Sequence, residues 1–233
     1  SYAGPEGGRV LAYLWLPRST APPHQTLLYV PASDAFQGTP VSFHGERWMA
    51  GLVRSGRALF SVVLAGMVER PFDAGYTPPP FGSVAYRDLM VRHATELRLG
   101  LDYLESRDDI DMDRLGYVGI SLGAGSRLGF AAVDDRYDAV VLIGGGIDPG
   151  MRPTLPAADN VNFAPYLDAP TLLLNGRHDE EHPWLTAGLP LWNLLEEPKE
   201  LVLVEGAGHV PPLEVLIPGV NRFLDETLGP VGR

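Results

Sequence analysis

Leu115-Gly116-Tyr117-Val118-Gly119-Ile120-Ser121-Leu122-Gly123 passes from an apolar run to a glycine-flanked serine, and leads into the small-residue stretch Ala124 to Val133. The run Leu115 to Gly119 predicts a buried strand, and the small residues behind it predict a closely packed helix. A serine on a sharp turn between strand and helix stands proud of the sheet, and glycines on either side give the backbone room for that strained conformation. The next amide, that of Leu122, would then face any negative charge that develops beside the hydroxyl.

Outward from this stretch, short runs rich in Val, Leu and Tyr alternate with longer segments of helical period. That is the pattern of an α/β fold, a mostly parallel central sheet with helices on both faces. The other predicted strands are Arg9 to Leu16, Thr26 to Val30, Ala58 to Leu64, Ala139 to Ile143, Thr171 to Leu174 and Leu201 to Val204. The clearest helix runs from Ser83 to Glu105, where Tyr86, Met90, His93, Leu97, Leu101 and Leu104 recur at spacings of three and four. His93 sits on that stripe and reads as a hydrogen-bonded core histidine rather than a ligand. Thr77-Pro78-Pro79-Pro80 can only be extended or turn-like and steers the chain into the helix. The stretch from Asp148 to Ala169 is polar, proline-rich and too short for a multi-helix lid, so an open cleft is expected.

A serine hydroxyl needs a base within hydrogen-bond reach, and the base needs a partner that fixes its tautomer. The strand Thr171 to Leu174 runs out into Asn175-Gly176-Arg177-His178-Asp179, and the strand Leu201 to Val204 into Glu205-Gly206-Ala207-Gly208-His209. Both would deliver their last residue to the carboxyl edge of the sheet. Ser121 is therefore the expected nucleophile, His209 the base and Asp179 the acid that orients it, in the chain order of the α/β-hydrolases. The competing readings are a surface histidine at 209, a helix cap at 179, and Glu180, Glu205 or Asp148 in place of Asp179. A second oxyanion donor is expected after the strand Thr26 to Val30, from the amide of Ser33, with Ala32 its equally available neighbour. Phe36, Met67, Tyr76, Phe81 and Trp184 are candidates for an apolar substrate-binding wall, and core packing is the alternative for each.

Two strings suggest metal and are set aside. His178-Asp179-Glu180-Glu181-His182 has the spacing of a zinc peptidase motif, but it leaves a glycine turn and meets Pro183, which is poor ground for a helix. Asp109, Asp111 and Asp113 resemble a calcium loop, but Arg114 and Ile120 stand where its glycine and glutamate belong, so a solvated turn and caps are expected.

With 233 residues and 45% hydrophobic content the chain can bury one good core, and a single domain from 1 to 233 is expected. A net charge of -11 argues against nucleic acid and anionic membrane surfaces. The absence of cysteine removes disulfides, thiolate metal sites and a cysteine nucleophile without deciding the compartment. No apolar run approaches the roughly 20 residues of a membrane span. The start at Ser1 lacks both a methionine and a signal-like segment, and it leaves room for an opening strand upstream.

Nearly the whole chain resembles the α/β-hydrolase domains found alone or fused to bacterial serine/threonine protein kinases, related to dienelactone-hydrolase and acetyl-esterase-like proteins. The resemblance rests on Ala85-Tyr86-Arg87-Asp88, Asp102-Tyr103-Leu104-Glu105, the turn Gly119 to Gly123, Asn162-Phe163-Ala164-Pro165, Leu174-Asn175-Gly176, Gly208-His209-Val210-Pro211-Pro212 and Leu228-Gly229-Pro230-Val231. It implies the α/β-hydrolase fold with little or no lid, no cofactor, and Ser121, Asp179 and His209 at the triad positions. The implied activity is hydrolysis of short-chain or otherwise accessible carboxylic esters, small or polymeric. A thioesterase, a peptidase and a catalytically silent binding or sensory module are the alternatives. Leu122 departs from a bulky aromatic, Ala32 departs from a glycine, and dienelactone hydrolases proper use a cysteine that this chain lacks.

Overall fold

A computed structural model describes residues 1–5, 7–147 and 154–232. Its strands are β1 Tyr2–Ala3, β2 Arg9–Val10, β3 Ala12–Trp15, β4 His24–Val30, β5 Ala58–Val62, β6 Ile110–Ile120, β7 Ala139–Ile143, β8 Thr171–Gly176 and β9 Lys199–Val204. The α-helical segments are α1 Val41–Phe43, α2 Ala50–Arg54, α3 Val84–Glu105, α4 Gly129–Ala132, α5 Leu189–Leu194 and α6 Leu213–Thr227. β1 and β2 form a small antiparallel pair, and the other strands form one sheet in the order β3-β5-β4-β6-β7-β8-β9. Only the β3–β5 pairing is antiparallel.

Alternation along the strands divides the core into two layers. Leu28, Val30, Phe60, Tyr117, Val140, Leu142 and Leu173 pack on one face with Tyr86, Met90, Leu97, Leu101 and Leu104 of α3. Leu27, Tyr29, Leu59, Val118, Val141, Ile143, Leu172 and Leu174 pack on the other with Leu216, Val220, Phe223 and Leu224 of α6. Both faces of β4, β6, β7 and β8 are thus covered, which is why their sequences read as apolar runs rather than alternating ones. α3 begins where Ser83 Oγ accepts from the Tyr86 amide at 3.1 Å, just after the prolines that cannot enter a helix.

The local differences from the sequence reading have plain causes. Arg9 to Leu16 is two strands, because Arg9–Val10 pairs with β1 and Ala12–Trp15 with β5. β6 starts at Ile110, so Asp111 and Asp113 lie in a strand rather than a turn, although Asp111 does cap the Asp113 amide, accepting from it at 3.2 Å; His24 and Gln25 pair with the first residues of β6. The helix expected from Ala124 is α-helical only over Gly129–Ala132, preceded by a 3-10 turn at Ser121–Gly123. Gly123, Gly125 and Gly129 make regular helix costly there. Within Asp148 to Ala169, the first six residues lie outside the described residues, and the remainder holds three single 3-10 turns. Among the described residues no helix is long and apolar enough to cross a membrane.

From β4 the chain moves outward to β5, then returns past β4 to β6 and continues to β9. The connections that leave β4 and β6 therefore diverge, and open a crevice at the carboxyl ends of these two neighbouring strands. In open α/β sheets that crevice is where ligands bind.

Candidate active site

Ser121 caps β6 at this crevice. Its φ of 52° makes it the non-glycine residue of positive φ among the described residues. The left-handed region costs an L-residue about 1–2 kcal/mol, and the surrounding packing holds it there. The turn is tight enough that a side chain at Gly123 would strike the Val30 carbonyl, and one at Gly119 would strike the Gly123 backbone. Tyr117 pins the same turn from below, its hydroxyl donating to the Gly123 carbonyl at 2.8 Å.

Pairing of β8 with β9, in register to Gly176 opposite Val204, brings their terminal loops side by side. The His178 amide donates to the Ala207 carbonyl at 2.9 Å and locks the two loops together. His209 Nδ1 then lies 2.9 Å from both carboxylate oxygens of Asp179, and His209 Nε2 lies 2.7 Å from Ser121 Oγ. Because a carboxylate only accepts, the proton of neutral His209 sits on Nδ1, leaving Nε2 to accept from the serine hydroxyl. Asp179 is 4% exposed and Ser121 6%. The second role of Asp179 is as a turn cap: Oδ1 also accepts from the amides of Glu181 and His182 at 2.9 and 2.7 Å.

The electrostatics follow from these contacts. Burial pushes the Asp179 carboxyl up, but the His209 hydrogen bond, the two amides and the imidazole charge outweigh it, and the net shift is down. Burial pushes His209 down, but the hydrogen bond and charge of Asp179, with the charge of Glu181, outweigh it and hold His209 above its ordinary value. Glu181 Oε2 lies 3.6 Å from His209 Nε2.

A cleft of about 440 Å³ opens in front of Ser121, lined among others by Ser33, Leu122, Phe81, Tyr86, Asn160 and His182. Ser33 and Leu122, which follow β4 and β6, thus both line the cleft. The expected apolar wall is placed differently. Met67 is 0% exposed, its sulfur accepting from the Leu64 amide at 3.2 Å. Trp184 is buried at the start of the turn Trp184–Gly188, and Phe36 packs against the α3 core with its ring 6.1 Å from that of His93. Of the aromatic candidates, Phe81 lines the cleft, while Tyr76 is exposed and stacked on Phe72 at 4.0 Å. Of the rivals to Asp179, Glu205 pairs with Arg177 at 3.0 Å, Glu180 lines the cleft, and Asp148 lies outside the described residues.

His182 and Asn175 carry roles that sequence reasoning missed. His182 Nδ1 donates to the Gly144 carbonyl at 2.9 Å, and its ring stands edge-on to that of His209, centroids 5.3 Å apart. Buried Asn175 clamps the loop after β7 by a pair of hydrogen bonds with the backbone of Gly145, at 3.1 and 2.7 Å. The string from His178 to His182 is a run of turns, with His178 exposed, so its two histidines share no helix face. Asp179, His182 and His209 do hold potential metal-ligand atoms within 4.8 Å of one another. In the present geometry Nδ1 of each histidine is engaged, by Gly144 and by Asp179.

No family model matches the chain. Curated relatives are two uncharacterized proteins of Mycobacterium tuberculosis, 28% identical over 149 residues, 58% of this chain and 53% of theirs. The chain spans about half the length of these relatives. Among solved structures it is similar to Est1E of Butyrivibrio proteoclasticus with bound ferulic acid, at a TM-score of 0.72 and 18% identity over 98% of this chain and 99% of that one. An acetyl xylan esterase from a Paenibacillus species aligns with TM-score 0.69 and 19% identity over 97% and 82%. A putative dienelactone hydrolase of Klebsiella pneumoniae aligns with TM-score 0.71 and 19% identity over 96% and 94%. The chain has the α/β-hydrolase fold.

Proposed function

We propose that the chain is a serine hydrolase that cleaves carboxylic esters through an acyl-enzyme. The observation that carries this reading is the unbroken hydrogen-bond line from Ser121 Oγ through His209 to Asp179, set on a strained strand-to-helix turn at the mouth of a cleft. His209 takes the Ser121 proton as the hydroxyl attacks the ester carbonyl, and the amides of Leu122 and Ser33 receive the oxyanion. His209 then hands the proton to the departing alcohol, and water repeats the sequence on the acyl-enzyme. Asp179 keeps the proton of neutral His209 on Nδ1 and steadies the imidazolium that forms. The similarity to an acetyl xylan esterase accords with this reading.

The test is hydrolysis of p-nitrophenyl esters from acetate to palmitate by the wild type and by Ser121→Ala, both checked for folding by circular dichroism. Turnover that peaks at short chains and disappears in the variant is the expected result. A folded wild type that neither turns over any ester nor labels with a fluorophosphonate probe overturns it, and leaves the silent binding module as the better reading.

A further inference from the structure

His182 has a seat made for it. Its Cβ packs where a side chain at Gly146 would stand, 2.8 Å from the Cβ such a residue would bring, and its Cε1 lies 3.3 Å from the same position on Gly125. The Gly144 carbonyl that receives its Nδ1 belongs to the loop that Asn175 clamps on both sides of Gly145. Three backbone positions and a buried amide side chain thus hold one imidazole at the wall of the cleft. A carbonyl only accepts, so the neutral ring carries its proton on Nδ1, and Nε2 is a lone-pair acceptor with no hydrogen-bond partner among the described residues.

The side of the cleft it faces follows from the chemistry proposed for the site. His209 Nε2 has to reach the leaving oxygen to protonate it, and the His182 ring stands against the His209 ring. Its neighbours in the lining are Glu180 and Glu181, with Asp159 further along, and the described lining contains neither Lys nor Arg. The surroundings therefore favour hydrogen-bond donors over anions.

We propose that His182 is a specificity-determining residue, whose Nε2 accepts a hydrogen bond from a donor on the alcohol part of the substrate, next to the ester oxygen. The preferred substrates are then esters of alcohols that carry a neighbouring hydroxyl, and esters with a carboxylate at that place are disfavoured. This inference rests on the esterase reading.

A matched pair of esters isolates the donor: 2-hydroxyethyl acetate and 2-methoxyethyl acetate, which withdraw electrons from the leaving oxygen to a similar degree and differ in the hydroxyl proton. Acetate release is followed by pH-stat for the wild type, His182→Asn and His182→Gln. The wild type should prefer the hydroxyethyl ester by roughly three- to tenfold in kcat/KM, the range of one net hydrogen bond. In H182N the amide nitrogen can still donate to Gly144, but no acceptor remains at the Nε2 place, and the ratio should fall towards one. In H182Q an amide oxygen restores part of it. The ratio is internal to each protein, so a general loss of activity does not move it. A wild-type ratio near one, or a ratio unchanged in both variants, overturns the role of His182 and leaves the esterase reading standing. Failure of the folded wild type to hydrolyse either ester or to label with fluorophosphonate overturns both.

Discussion

The histidine and carboxylate on α3 and those at the carboxyl edge of the sheet do opposite things with similar groups. Beneath α3, His93 and Glu96 are both 0% exposed, yet each is paired elsewhere. His93 Nε2 donates to the Ala65 carbonyl at 2.8 Å, while Glu96 receives Arg70 at 2.7 and 2.8 Å and Arg92 at 3.1 Å. Burial, then the nearby charge of Arg127, drive His93 down to about 3 against the pull of the Ala65 carbonyl. At the carboxyl edge, His209 is half-buried and bonded to its carboxylate directly, and it is held above its ordinary value. Burial alone makes a histidine inert. A carboxylate on one nitrogen and a hydroxyl on the other is the arrangement that a base needs.

The signs of proton linkage are opposite as well. The unfolded chain takes up a proton at position 93 near 6.5, whereas the folded chain refuses it until about 3. The contribution of His93 to stability is therefore complete above about 6.5 and is lost as pH falls through that window. The contribution of His209 is present below its unfolded value and fades as pH rises through its raised folded value.

Breaking the edge region should give the largest effect. Ser121→Ala is expected to lower kcat by about 10⁶-fold, with the fold intact by circular dichroism. Asp179→Asn, which favours the wrong tautomer of His209, should cost about 10⁴-fold in kcat at neutral pH. A loss under tenfold would show that His209 does not depend on it. In the α3 region, His93→Leu should cost about 1–3 kcal/mol in urea unfolding at pH 7, by orphaning the Ala65 carbonyl. It should also flatten the fall in stability between pH 6.5 and 4, while the pH profile of catalysis stays where it was. Strain distinguishes the regions too: Ser121→Gly should unfold at higher urea than Ser121→Ala, by about 1 kcal/mol, since glycine accepts the positive φ. The smallest expected change is in Glu181→Gln. Without that charge the acid limb of kcat/KM moves to lower pH, and salt near 1 M should erase the difference, because the carboxylate is exposed and screened.

How legible these regions were differs in the same way. The central strands could be read because both faces are covered, so that Ala139 to Ile143 shows no alternation, and the stripe from Tyr86 to Leu104 shows the helical period plainly. The loops holding Ser121, Asp179 and His209 could be placed at strand ends for the same reason. Glu96 was not legible, since nothing in its neighbourhood in sequence announces Arg70, 26 positions away. In sequence His182 reads only as half of a metal string, because its seat is assembled from the loop after β7 and from Asn175. Phe36, Met67 and Trp184 read in sequence as pocket lining and core filler alike, and the direction each points is a tertiary fact. The signal that could have found His182 was the run Gly144-Gly145-Gly146 after a strand, which marks a backbone that something must approach.

That crowding has an evolutionary consequence. On the elbow side of the cleft a methyl group added at Gly125 would come 3.1 Å from the Gly146 carbonyl oxygen, and one at Gly146 would press on His182. Both positions line the cleft, yet a side chain at Gly146 is opposed by the seat of His182, and one at Gly125 needs its neighbours to give by a few tenths of an ångström. Tyr86 and Asn160 line the cleft too, but Tyr86 accepts from Arg127 at 3.2 Å and Asn160 from the Gly129 amide at 3.0 Å, so both are tied to the scaffold. A lineage, or a mutagenesis library, in search of a new substrate has more freedom at exposed lining residues such as Gln37 and Glu180 than at these four.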